Sequence, residues 1–535
     1  MSPIPRWQVA IGCGLGLAAA IVTSAQSGLD ESALDRAFGA YWLAADPEEA
    51  AQASEQILAT GADFDTVRDR LMRGRSYATD VPTGRLLLER SNRDGLEHPY
   101  LVLVPEDYDP GRRYPARVYL HGGANRARRK EANWWRNPQR LADPEQIAVF
   151  PYAWKESLWW QGSQAENLGG ILDGLKRTYN VDENRVYLFG VSDGGTGVYF
   201  FAFRTTTPWA GFLPFIGQPA VLNSPNVDAD GQMYVANLLN KPFFVVNGGL
   251  DPLYPPASVV PYLTLFEDVG VRVRFHLEPD SGHNTRWWPE EAAAIDSFID
   301  SNPRNPLPDR IWWETERTDR YNRAHWLLID ELGSVKGERA FPERNSVSLT
   351  PKPGLGLGVD KGGDQGVRLT RVQSGSTAEV AGLQKGDLIV EVDGLATPTV
   401  QQLRQALRQF SYGSSVPLTI LRQGSRRSIL IQLPPRPEPV RRVAFPHPFP
   451  SGRVELRARG NLIEVQTRGV RRYSLLLSPR QFDFSQPIKV ITNGHESFNR
   501  RVVADVGTLL RWAARDNDRT MLFGAELEIE VANAG

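Results

Sequence analysis

Val186-Tyr187-Leu188-Phe189-Gly190-Val191-Ser192-Asp193-Gly194-Gly195 is the stretch whose reading decides the fold. Four strand-forming residues run into Gly-x-Ser-x-Gly, and Gly194, Gly195, Thr196 and Gly197 then open a helix. Strand, sharp turn and helix together describe a nucleophile elbow, which holds a serine hydroxyl above the end of a sheet. Such a turn forces Ser192 into a sparsely populated backbone region. The residues two before and two or three after it must be small, or their Cβ atoms collide across the bend. Gly190, Gly194 and Gly195 meet that requirement. The alternative is a glycine-rich β-turn carrying a solvated serine.

Downstream, Lys241-Pro242-Phe243-Phe244-Val245-Val246-Asn247 reads as a strand ending in Gly248-Gly249-Leu250-Asp251-Pro252. An acid a few residues past a late strand suits the carboxylate that fixes an imidazole's tautomer and stabilises the imidazolium formed in reaction. The alternative for Asp251 is an Asp-Pro turn. The next strand, Val271 to Leu277, leads into Ser281-Gly282-His283-Asn284. His283 is the natural general base, because an imidazole near its neutral pKa takes and returns a proton. His276 sits inside the strand and reads as structural. Ser192, Asp251 and His283 thus follow one another in chain order, each after its own strand.

Acyl transfer also needs donors for a developing oxyanion. The N–H of Asp193 supplies one. A second is expected from Val118-Tyr119-Leu120-His121-Gly122-Gly123-Ala124, where glycines at a strand end let the backbone turn its amides inward. Gly122, Gly123 and Ala124 all remain open as that donor, and His121 is expected to brace the loop.

Working outward, strands and helices alternate from about residue 81 to 300. Leu86 to Leu88, Tyr100 to Val104, Ala116 to Leu120 and Ile147 to Pro151 read as strands, and Gln164 to Tyr179 as a helix. The pattern predicts an α/β fold with a mostly parallel, doubly wound sheet whose chemistry lies at the carboxyl ends of the strands. Residues 26–80 form a helical preface, with Leu34, Phe38, Tyr41 and Trp42 at helical spacing. Residues 1–25 have the shape of an export signal: Arg6, an apolar run from Val9 to Val22, and small residues up to Ala25. That run is too short to span a bilayer comfortably, so a mature chain without a transmembrane anchor, periplasmic or secreted, is expected. Cys13 is the only cysteine and lies inside the run, where a lipoprotein signal is the alternative. A mature chain so cut has no thiol for a disulfide, a metal or a nucleophile. The 535 residues exceed one core and predict three or four domains. Basic and acidic residues nearly cancel, 61 against 62, so no nucleic-acid partner is indicated.

The HGG, GVSDGG, NGGLDPLYP and SGHNTRWWP motifs of residues 81–300 resemble the α/β-hydrolase superfamily. Within it they are most similar to the bacterial esterase, polyhydroxyalkanoate-depolymerase-like and prolyl-oligopeptidase-like groups. The resemblance implies a catalytic domain over residues 81–303 and a serine hydrolase working through an acyl-enzyme, with no metal or organic cofactor. It leaves ester or peptide substrates open, a carboxylesterase being the first choice and a peptidase the second. Asp193 sets an acid beside the nucleophile, which disfavours anionic acyl groups, although the following helix N-terminus partly offsets it. Trp159, Trp160, Trp287 and Trp288 crowd the same motifs. Trp160 and Trp288 are candidates to line a substrate pocket; packing under the loops explains them equally well.

Beyond Asn302-Pro303-Arg304-Asn305-Pro306-Leu307-Pro308, a linker, the sequence turns to short strands. Residues 304–350 and 441–535 read as one β-rich domain, with Asn493-Gly494 as a hairpin turn; two unrelated small modules are the alternative. Residues 351–440 interrupt it. Gly354-Leu355-Gly356-Leu357-Gly358-Val359, Ala381-Gly382-Leu383, Gly386-Asp387 and Val392-Asp393-Gly394 resemble a PDZ domain of the bacterial, HtrA-like kind over about residues 353–433. The resemblance implies that a polypeptide C-terminus meets the backbone amides of Gly354, Leu355, Gly356 and Leu357, its strand pairing beside Leu357 and Val359. The frame Gly356-Leu357-Gly358-Val359 fits nearly as well, and a PDZ fold serving as a spacer is the alternative. Pro434, Pro435, Pro437 and Pro439 mark its exit. Two functions follow: an exported serine hydrolase with a peptide-binding module, or an inert hydrolase fold whose PDZ groove carries the role.

Overall fold

The computed structural model describes residues 31–128, 133–336, 344–351, 354–361, 365–407 and 409–531. The export segment read over residues 1–25 lies outside them. Among the described residues no helix is long and apolar enough to cross a membrane.

Eight strands build the central sheet: β1 Gly84–Ser91, β2 Glu97–Val104, β3 Tyr114–Leu120, β4 Ile147–Pro151, β5 Val181–Val191, β6 Gly211–Phe215, β7 Phe243–Gly248 and β8 Val273–Glu278. Their spatial order is β1-β2-β4-β3-β5-β6-β7-β8. The first two pairings are antiparallel, and every pairing from β4 through β8 is parallel. β4, β6 and β7 are buried along their whole length, as apolar strands must be when helices cover both faces. One layer of core gathers Val118, Leu188, Phe200 and Phe212; the other gathers Tyr119, Phe189, Phe244 and Phe298.

The preface forms three helices, α1 Glu31–Leu43, α2 Pro47–Ala59 and α3 Phe64–Arg73. Asp46 and Asp63 cap the second and third, accepting from the amides of Glu49 and Thr66. Leu34, Phe38, Ile57 and Leu71 share a core with Leu509, Leu510 and Ala513 of the distant helix Val506–Asp516. Helices near the two ends of the described residues therefore pack on each other.

Residues 310–332 and 452–530 supply a four-stranded and a five-stranded sheet that share one core around Trp313, Trp326, Leu475 and Val490. Asn493 (φ 52°) and Gly494 (φ 88°) turn one of its hairpins, both in the left-handed region such turns require. The segment read as a linker is a clamp. Arg304 is buried and donates to Asn184, Asp518 and Thr520 at 2.7–2.9 Å, tying the parallel sheet's base to the β-rich region. The ends assigned from sequence to the β-rich domain behave differently. Ser346–Leu349 pairs with Val440–Val443 in a two-stranded ribbon, and Val347, Ala444 and Phe445 pack into the core of the parallel sheet. The PDZ segment follows this ribbon as a separate six-stranded sheet with its own core.

Candidate active site

Ser192 follows β5 with φ 58° and ψ −117°, a conformation that strains any residue with a side chain. The helix Asp193–Arg204 starts at once, and Thr196 donates its N–H to the Ser192 carbonyl at 2.9 Å. Steric contact explains the glycines. A Cβ on Gly190 would lie 2.1 Å from the Gly194 carbonyl oxygen, one on Gly194 2.0 Å from that of Leu120, and one on Gly195 2.7 Å from that of Phe215. The elbow is wedged between β3 and β6, which leaves no room for methyl groups.

Asp251 stands just past β7 and His283 just past β8, so two adjacent strands deliver them to the carboxyl end of the sheet. The structure brings the three side chains together. Ser192 Oγ lies 2.7 Å from His283 Nε2, and His283 Nδ1 lies 2.7 Å from Asp251 Oδ2. Asp251 is 2% exposed, and its other oxygen accepts from the amides of Leu253 and Tyr254 at 2.8 and 2.9 Å. Burial pushes this carboxyl up, but the hydrogen bonds from His283 and those amides outweigh it and hold the group below the usual carboxylate range. With Nδ1–H donated to Asp251, Nε2 faces the serine hydroxyl as an acceptor. Tyr254 packs edge-on to the His283 ring at 5.4 Å; burial, with Asp193 nearby, raises its hydroxyl to about 12, so it stays neutral. His276 is elsewhere, bound to Glu291 and Arg274.

The strand-end loop lies against the elbow. A Cβ on Gly122 would sit 3.0 Å from Ser192 Cβ, and Gly123 takes φ +67°. The amide of Ala124 donates to Asp193 Oδ2 at 2.8 Å, which removes Ala124 from the candidate oxyanion donors and leaves Gly122 and Gly123. His121 accepts from the Ala153 amide through Nε2 at 3.0 Å and donates through Nδ1 to the Gly122 carbonyl at 2.9 Å. Its tautomer is thereby fixed and it braces the loop.

The cleft over Ser192 has a volume of about 730 Å³ and is lined by Gly122, Gly123, Val191, Ile216, His283 and Asn284, with arginines around them. Trp160 and Trp288 do not line it, contrary to the pocket reading. Trp160 is 4% exposed and donates its indole N–H to the Val227 carbonyl, while Trp288 stacks on Trp287 against Phe215. Trp287 donates to the Asn284 carbonyl and Trp159 to that of His121, so the tryptophans support the loops from beneath. Sequence reading missed Ile216, held at φ 41° beside the nucleophile. It also missed Arg126, Arg136, Arg140 and Arg286, although the basic run after the HGG motif signals three of them.

In the PDZ segment, Leu357–Lys361 is an edge strand, paired on one side only, with Val372 opposite Leu357. Gly356 has φ +73°, and a Cβ there would lie 2.3 Å from Ser376 Cβ. Leu355, Leu357 and Val359 are partly buried against the PDZ core, and Gly354 faces open space. Helix Val400–Leu407 packs beside the strand.

The strand order and the elbow define an α/β-hydrolase fold. Residues 353–433 match the PDZ domain family, so the chain joins this fold to a PDZ domain. No curated protein matches the sequence. Solved structures similar to it include a thermostable esterase, at 22% identity and a TM-score of 0.33 over 41% of this chain and 63% of that one. An acylaminoacyl peptidase in complex with Z-Gly-Gly-Phe-chloromethyl ketone is similar at 16% identity and 0.34, over 41% and 42%. Dipeptidyl peptidase 4 of Porphyromonas gingivalis is similar at 14% identity and 0.32, over 41% and 35%. The chain spans less than two thirds of the length of each.

Proposed function

We propose that the protein is an exported serine hydrolase that cleaves esters, with peptides as second choice, through an acyl-enzyme. One observation carries the reading: the Ser192–His283–Asp251 relay with both links at 2.7 Å. His283 Nε2 takes the serine proton as Oγ attacks the acyl carbon, then gives it to the leaving group. Asp251 holds the ring and stabilises the imidazolium. The oxyanion meets the N–H of Asp193 and that of Gly122 or Gly123, each donor contributing about 3 kcal/mol of transition-state stabilisation. Water then enters by the same route to release the acid. The PDZ edge strand Leu357–Lys361 takes a polypeptide C-terminus by strand addition, with the amides of Gly354 to Leu357 facing the carboxylate.

A fluorophosphonate is expected to label the wild-type protein and not Ser192→Ala; a wild-type chain that never labels would favour the inert, PDZ-only alternative. A panel of short p-nitrophenyl esters against aminoacyl p-nitroanilides decides between ester and amide. Export is tested by whether residues 1–25 direct a reporter across the inner membrane of a bacterial host and are removed.

A further inference from the structure

The cleft over Ser192 is cationic to a degree that the acyl-transfer machinery does not need. Arg126, Arg136 and Arg140, from the stretch after the HGG motif, line it together with Arg286, three residues after His283. No aspartate or glutamate among the described residues lines it. None of the four guanidiniums forms an ion pair with a described carboxylate, whereas Arg112, Arg117 and Arg128 pair with Glu145, Asp296 and Glu89. The chain as a whole is balanced, 61 basic residues against 62 acidic, so this excess is local. Arg126 sits over the strand-end loop: a Cβ on Gly123 would lie 3.2 Å from its Cζ. The one acid beside the nucleophile, Asp193, has an oxygen occupied by the Ala124 amide and is absent from the cleft wall. This placement argues against the sequence-based expectation that Asp193 disfavours anionic acyl groups.

A concave wall of one sign focuses its field on whatever enters, and guanidinium forks match the paired oxygens of carboxylate, sulfate and phosphate. We propose that the cleft selects acyl substrates carrying an anionic oxygen group, held by Arg126, Arg136, Arg140 and Arg286 while Ser192 attacks. The substrate assignment rests on the serine hydrolase reading; the anion site does not.

The test compares mono-p-nitrophenyl adipate with its neutral methyl ester, which differ in one charge at constant length. At low salt the anionic ester is expected to exceed the neutral one in kcat/KM by about 10-fold or more, the ratio shrinking as ionic strength rises. Arg126→Gln and Arg286→Gln should each lower that ratio by about 3- to 10-fold, mainly through KM. Arg128→Gln, at an arginine already paired with Glu89, should leave the ratio in place. Equal or better turnover of the neutral ester at low salt overturns the proposal. Sulfated and phosphorylated acyl esters of similar length rank the anion types. Binding of adipate to Ser192→Ala protein, followed by calorimetry, separates the two readings. Adipate bound by a wild-type chain that hydrolyses no ester would sink the hydrolase reading and retain the anion site; no binding, or binding indifferent to Arg126→Gln and Arg286→Gln, would sink the anion site itself.

Discussion

The parallel sheet carries a basic cavity at each end, and the two differ in what faces them. At the amino ends of β6 and β7 a cavity of about 840 Å³ is lined by Lys241, Arg272, Arg304, Arg310, Arg457 and Arg459, with His325 beside them. At the carboxyl ends lies the smaller cleft over Ser192, of about 730 Å³. By volume and by charge the amino-end cavity is the stronger candidate. Yet its histidine bonds a carbonyl, that of Pro306, and not a serine. Its arginine of shortest contact, Arg304, is committed to Asp518. In a parallel sheet the loops that follow the strands, and the helix N-termini after them, all open at the carboxyl edge. Convergence from separate strands, not size or charge, is what favours the carboxyl end as the proposed active site.

The sharpest way to break that comparison is to disable each end in turn. Ser192→Ala should lower kcat/KM for an activated ester by about 10⁴- to 10⁶-fold with no change in melting temperature, while Lys241→Met should leave turnover alone. Equal effects would erase the distinction. Asp251→Asn should cost about 10³- to 10⁴-fold in kcat by releasing the imidazole tautomer. The folded Asp251 carboxyl lies below its ordinary range, so its stabilising contribution is present above the unfolded pKa and is lost as pH falls through the lowered folded one. Acid titration of unfolding should accordingly be shallower in the variant.

Arg304→Leu should act at the other end and on stability. Although burial alone raises the Asp518 carboxyl, the Arg304 and Lys176 charges hold it well below normal, and removing Arg304 strands a buried carboxylate. Chemical denaturation should show a loss of about 3–5 kcal/mol, with kcat little changed. The smallest effect is expected at Lys241, which is 4% exposed and makes no side-chain hydrogen bond or ion pair with the described residues. Burial, reinforced by Arg304 and Arg272, pushes its ammonium pKa well down. The native state then binds fewer protons than the unfolded one between the lowered and ordinary pKa values, so stability falls as pH drops through that window. Lys241→Met should flatten this dependence and add about 1 kcal/mol near neutrality.

What could be read from sequence follows from the range of each signal. The elbow is local: steric demand at Gly190, Gly194 and Gly195 is written within six residues. Asp251 and His283 were placed because each immediately follows a strand of recognisable composition. The tryptophans had no such constraint. Trp160 and Trp288 lie near the motifs along the chain, but side-chain direction depends on neighbours such as Val227 and Phe215 that are distant in sequence. The arginines escaped for the same reason, since nothing local brings Arg286 to the same cleft as Arg136. Helix Val506–Asp516 was missed as well; its apolar face makes sense only against the helices near the other end of the chain.

One feature of the ribbon bears on how this chain was assembled. Leu349 and Val440 are directly opposed across its two antiparallel strands, so the polypeptide leaves for the PDZ domain and returns at neighbouring points. Excising everything between them and splicing in Asn-Gly would close an ordinary two-residue hairpin, with no strand displaced. Such a shortened chain should melt as the parent does and turn over the proposed ester substrates at the parent's rate, which would mark the PDZ domain as a graft that the host fold tolerates at a single seam.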